Sequence, residues 1–146
     1  MERINRRSAI TLGLSAAAGT PFLGLATAAS AKEYGPTEGK ELFKGVRLID
    51  LGKRPSEISA YKTVHMMDVV FQPGAVFPVG EPMEADMVCH VPVGELKITH
   101  GPAGKTTDYV VKEGDVYSCA KGSTVEGATN TGSVVAVMRV IQLETS

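Results

Sequence analysis

The sequence predicts an all-β fold, a single small sandwich or jelly-roll barrel, and three observations carry that prediction. Sixteen glycines and eight prolines stand against four Phe, four Tyr and no Trp in 146 residues, the composition of many short elements joined by tight turns. Apolar runs of strand length recur at short intervals, several with a period of two. No segment sustains a helical period. Closing a sheet or doubling it is how such chains protect their edges.

The elements follow in order. Residues 1–31 begin with Arg3, Arg6 and Arg7, continue through an Ala/Leu/Gly-rich stretch and end in Ala29-Ser30-Ala31, the three-part plan of an export signal cleaved after Ala31. The stretch is broken by Gly13, Ser15, Gly19, Thr20 and Pro21, a poor composition for a membrane anchor. Residues 32–62 read as a polar lead-in or strand-like arm, Lys32 to Lys44, followed by a first strand, Val46 to Leu51, with a short helical turn over Arg54 to Tyr61 capped by Ser56. Residues 63–146 read as the barrel. Its strands are expected at Thr63 to Phe71, Met87 to Val91, Glu95 to Thr99, Asp108 to Val111, Asp115 to Cys119 and Ser133 to Leu143. Turns are expected at Gln72-Pro73-Gly74, Val93-Gly94-Glu95, Gly101 to Gly104, Lys112 to Asp115, Lys121-Gly122 and Asn130-Thr131-Gly132.

Charge narrows the function classes. Fifteen basic and sixteen acidic side chains leave a net −1, and no Lys/Arg run occurs outside the first seven residues, so the chain lacks a nucleic-acid footprint. Removing the leader takes away three basic residues and one acid and leaves a net −3. There is no nucleophile elbow, phosphate-binding glycine loop or Cys-x-x-Cys, which removes support for hydrolase, nucleotide-binding and thioredoxin-like readings.

Two resemblances add to this. Asn5-Arg6-Arg7-Ser8-Ala9-Ile10 resembles a twin-arginine export signal, with Ala9 where Phe is usual, which implies a periplasmic or secreted product without a stable membrane anchor. The order Pro73-Gly74-Ala75, Val93-Gly94-Glu95-Leu96, Gly114-Asp115, Ala120-Lys121-Gly122 and Asn130-Thr131-Gly132 resembles the cupins, over roughly Thr63 to Leu143. That resemblance implies a cupin-type jelly-roll barrel and a homodimer. It also implies a His- and Glu-bound divalent metal, but the corresponding positions hold Glu81 and Met83 (or Gly80 and Pro82), Met87, and Val125 beside Glu126. A slip of one residue puts Asp86 at the Glu position and supplies no histidine.

Two functional readings follow. The first is an exported binding or accessory protein for an unknown small molecule, with no metal and no catalytic residue assigned. Its pocket candidates are His65, Met67, Glu81, Met83, Met87, Cys89, Val125 and Glu126. The second is a metalloenzyme, a dioxygenase, isomerase or lyase, holding a divalent or copper ion on Glu81, Met83, Met87 and Cys89, with Glu126 as a further candidate ligand; soft sulfur donors favour copper. Enzymatic activity is left open between them. His65 shares an alternation with Met67, His90 is out of phase with Cys89, and His100 sits by a turn and is expected to be exposed. Cys89 and Cys119 form an isolated pair, readable as a disulfide, as two buried thiols or as a pair with a metal or redox role. Glu81, Glu84 and Asp86 form either an acid/base group at the pocket mouth or a solvated loop.

Overall fold

The computed structural model describes residues 32–145, so the leader expected over residues 1–31 lies outside the described residues. Ten strands and no helix occupy the described part: β1 (Lys40–Phe43), β2 (Val46–Pro55), β3 (Thr63–Phe71), β4 (Val76–Phe77), β5 (Asp86–Val93), β6 (Glu95–Gly101), β7 (Thr107–Lys112), β8 (Val116–Cys119), β9 (Val125–Thr129) and β10 (Ala136–Glu144). They form a six-stranded sheet, β1-β2-β3-β10-β5-β8, and a four-stranded sheet, β4-β9-β6-β7. All pairings are antiparallel.

Alternation decides what each sheet buries. Met67, Val69 and Phe71 on β3, Cys89 and Val91 on β5 and Met138 and Val140 on β10 face Leu96, Ile98, Val111 and Ala128 of the four-stranded sheet in one core. The opposite face of the larger sheet carries a second cluster, Ile49, Val70 and Val137, joined by Tyr34 from the arm. The arm is thus more than a polar lead-in, because its residues 40–43 form β1 and Tyr34 packs on β3.

Gly94 is the single residue between β5 and β6, where the chain crosses from one sheet to the other. Its φ of 76° favours glycine, and an added Cβ would stand 3.0 Å from the Val135 carbonyl and the Ala136 backbone. A side chain at Gly127 would meet Val79 Cγ2 at 2.7 Å, so the bare backbone of β9 lets the segment after β4 lie across it.

The helical turn expected over Arg54 to Tyr61 is absent. β2 runs on to Pro55, and Ser56 Oγ accepts the Ile58 N–H at 3.0 Å, closing a side-chain turn in place of a helix cap. Two strands carry no sequence signal: β4 has two residues, and β9 (Val-Glu-Gly-Ala-Thr) shows neither an apolar run nor alternation. Among the described residues no helix is long and apolar enough to cross a membrane.

Candidate functional site

The inner faces of the two sheets diverge enough to leave a cavity of about 260 Å³. Leu42 and Leu48 close one side, Met67 and Val69 come from β3, Phe77 from β4, Met87 and Cys89 from β5, and Met138, Val140 and Gln142 from β10. Met83 enters from the segment before β5, pinned by its N–H to the Thr124 carbonyl (2.8 Å) and by its own carbonyl to Gly122 N–H (2.7 Å). Glu126 on β9 joins Phe77 in the wall contributed by the four-stranded sheet. Four of the chain's six methionines therefore line one space with a cysteine and a single carboxyl group.

Glu126 is 5% exposed and is held by both sheets. The Tyr117 hydroxyl donates to its Oε1 (3.0 Å) and the Cys119 thiol to its Oε2 (2.8 Å). The Tyr117 oxygen also lies 2.9 Å from Met138 Sδ. On β6, His100 is Glu126's direct cross-strand partner. The rings of His100, Tyr109 and Tyr117 meet edge to face at centroid separations of 6.0 to 6.1 Å, forming an aromatic wall beside the carboxyl group.

Burial raises the Glu126 pKa above the ordinary carboxylate range, against the lowering effects of the Cys119 and Tyr117 hydrogen bonds and of His100. Burial and the Glu126 charge also push Tyr109 up to about 12 and raise Tyr117 further. The Cys119 thiol is raised by its contact with Cys89, by burial and by Glu126, so both it and the phenols are protonated at neutral pH. A carboxyl group whose folded pKa is raised stabilises the fold below its unfolded value, and that contribution is lost as pH rises through the folded value. Glu126→Gln should therefore gain stability relative to the wild type as pH rises above the ordinary carboxylate range, at no more than about 1.4 kcal/mol per pH unit. Urea unfolding of both proteins in chelator-treated buffer measures this, and parallel pH profiles would refute it.

The placement of the expected residues is uneven. Met67, Met83, Met87, Cys89 and Glu126 come together around the cavity. Val125 is buried on the opposite side of β9 from Glu126 and does not line it, because adjacent strand residues face opposite ways. Glu81 and Glu84 are exposed, and Glu81 lies apart from the sulfur atoms it was expected to join. Asp86 is engaged outside the cavity by the Tyr61 hydroxyl (3.1 Å) and the Lys121 N–H (2.9 Å). His65 does not line the cavity either: a bulge in β2 between Asp50 and Gly52 brings Asp50 beside it, and Nε2 lies 3.1 Å from Asp50 Oδ1. The hydrogen bond from His65 in turn lowers the Asp50 pKa. His100 lies at the end of β6, half-buried, with Nε2 3.2 Å from the Ser118 carbonyl, and is not an exposed turn residue.

Cys89 and Cys119 are free and buried. The register weighs against the disulfide reading of this pair. Cys89 faces Tyr117 and Cys119 faces Met87, so the two cysteines are diagonal neighbours. Such positions are about 7–8 Å apart at Cα, beyond the about 4.4–6.8 Å that a disulfide spans. Tyr117, Cys119 as a partner of Glu126, Met138 and Gln142 were missed as site residues. The alternation of Met138, Val140 and Gln142 along β10 was the signal available for two of them.

A His-based metal centre does not fit these residues. None of the three histidines lines the cavity, and the barrel offers one carboxyl group among thioethers and thiols. No family model matches the sequence, and no curated protein matches it significantly. Among solved structures the chain is similar to KdgF from Halomonas sp., with a TM-score of 0.56 at 16% identity over 73% of this chain and 86% of that one. It is also similar to the Cupin_2 domain of an XRE family transcriptional regulator from Enterobacter cloacae (TM-score 0.53, 16% identity, 70% of this chain and 99% of that one). A recombinant oxalate oxidase in complex with glycolate gives a TM-score of 0.59 at 20% identity, over 81% of this chain and 63% of that one. The fold is the all-β jelly roll of these cupin proteins, whose functions range from catalysis to a domain of a transcriptional regulator.

Proposed function

We propose that the barrel is a binding site for a small, mostly apolar molecule bearing one neutral hydrogen-bonding group, and that the protein acts as a binding or accessory protein. The observation that carries this reading is the composition of the cavity wall: apolar and thioether side chains all round, interrupted by the Glu126 carboxyl and the Gln142 amide. A volume of about 260 Å³ exceeds the roughly 150 Å³ that admits benzene and falls below the roughly 300–1,000 Å³ of sites for drug-sized ligands. One or two fused rings, or a short branched chain, match that space. A second anion beside Glu126 would be disfavoured by both burial and repulsion. Export to the periplasm or outside the cell and pairing into a homodimer belong to the same proposal. The leader-like start supports the first and the cupin resemblance the second.

Naphthalene, 1-naphthol and 1-naphthoate share one ring system and differ only in the polar group. In calorimetric titrations 1-naphthol should bind most tightly and 1-naphthoate least. Val140→Phe, which fills the cavity from β10, should remove naphthol binding while the folded signal in circular dichroism is kept. Equal affinity for all three probes, or undiminished binding by Val140→Phe, would refute the assignment.

A further inference from the structure

Cys89, Cys119 and Glu126 are each 5% exposed or less, and their donor atoms all lie within 4.8 Å of one another. They come from three strands and both sheets, so the fold and not a local turn assembles them. The two sulfurs lie within that same 4.8 Å, close to the span of one shared ion. Two metal–sulfur bonds of about 2.3 Å reach across at most about 4.6 Å. Cys89 and Glu126 also line the cavity, which gives an ion its route in.

We propose that Cys89 and Cys119 hold a soft monovalent ion of the Cu(I) class, with Glu126 as the third group at the site. Softness follows from the surroundings. Thiolate and thioether donors select Cu(I), zinc and iron–sulfur clusters, whereas carboxylate and carbonyl oxygens suit harder ions, and the thioethers close by favour Cu(I) among the soft ones. Met87 is the cross-strand partner of Cys119, and Met138 reaches the site through Tyr117. His100 is turned to the Ser118 carbonyl and is not a donor. On binding, each thiol gives its proton to solvent and each sulfur donates a pair to the ion; copper enters and stays as Cu(I), so no electron is transferred. Tyr117, hydrogen-bonded to Glu126, orients the carboxyl group next to the sulfurs, the usual work of an outer-shell partner. This site stands independently of the organic ligand proposed above.

The test is an anaerobic titration of the reduced, full-length protein with Cu(I) in competition with bicinchoninate, followed by the ultraviolet sulfur-to-copper absorption. One equivalent should bind, and the count of reactive thiols in denatured protein should fall by two when copper is retained. Cys89→Ala and Cys119→Ala should each weaken binding by at least about 100-fold, and Glu126→Gln by no more than about 10-fold. If either cysteine variant is poorly folded, X-ray absorption of the wild-type complex decides, with two sulfur neighbours expected. Binding below half an equivalent, unchanged affinity in both alanine variants, a preference for Zn²⁺ over Cu(I), or a Glu126→Gln loss as large as the cysteine losses would each overturn the proposal. Naphthol binding by copper-free protein would survive any of these results, so failure of the ion site is separable from failure of the pocket.

Discussion

Arg139→Met is expected to lower the unfolding free energy by about 3–5 kcal/mol, more than Asp68→Asn at the other end of the same ion pair. The two residues face each other across β3 and β10 on the outer face of the larger sheet. Arg139 Nε and Nη2 donate to Asp68 Oδ1 and Oδ2 at 2.8 and 2.9 Å, and the Tyr34 hydroxyl donates to Oδ2 at 2.5 Å. The Asp68 side chain is 1% exposed and that of Arg139 is 36% exposed. Removing the arginine strands a carboxylate away from water. Neutralising the aspartate leaves a guanidinium that water still reaches, so the loss should be only about 1–2 kcal/mol. Replacing both with Leu and Met should recover part of the loss, since an apolar pair suits the neighbouring Val70 and Val137. Urea unfolding of the two single variants and the double variant measures all three. Equal losses in the single variants would mean that the pair behaves as an ordinary surface contact.

Asn130→Ala should cost about 2–4 kcal/mol, because its side chain satisfies three buried or half-buried backbone groups at once. The amide nitrogen donates to the Phe71 and Val134 carbonyls at 3.0 and 2.8 Å, and Oδ1 accepts the Gly132 N–H at 2.9 Å. The residue is fully buried, and its backbone separately exchanges hydrogen bonds with Gly74 and Ala75. Asn130→Asp keeps the shape but turns both donors into an acceptor facing carbonyl oxygens. It should be worse than the alanine variant at pH 7 and approach it near pH 4, where the new carboxyl group can be protonated. Thermal unfolding at the two pH values distinguishes these outcomes. An aspartate variant as stable as the wild type at pH 7 would show that the amide orientation does not matter.

The strands whose apolar residues are continuous or alternating were legible in the sequence. Thr63–Phe71 was read at both ends, and the others differed by a few residues at their ends, where turn residues still pair. β9 was not legible, because Gly127 interrupts it and one of its two inward residues, Glu126, is acidic. That omission displaced the site. Counting forward through the turn at Gly122 put the inward position at Val125, whereas pairing of β9 with β6 places Glu126 opposite His100 and inward. The sulfur face of β5 could be read from period two, since Met87 and Cys89 lie on one strand. Its meeting with Cys119 and Met138 could not, because it depends on which strands are neighbours, and β5 lies between β8 and β10. His65 shows the same limit: its strand was right, and its partner came from a bulge in another strand.

The four cavity methionines have a consequence for selectivity. An unbranched thioether chain has three rotatable bonds and yields its shape easily, unlike the β-branched or aromatic side chains that give a pocket a hard outline. In the proposed binding role, guests of different contour would be accepted by re-threading the same four side chains, at little expense to the strands behind them. Selectivity in this barrel would rest on polarity and softness, and closely related molecules of unequal shape would compete for it on nearly even terms.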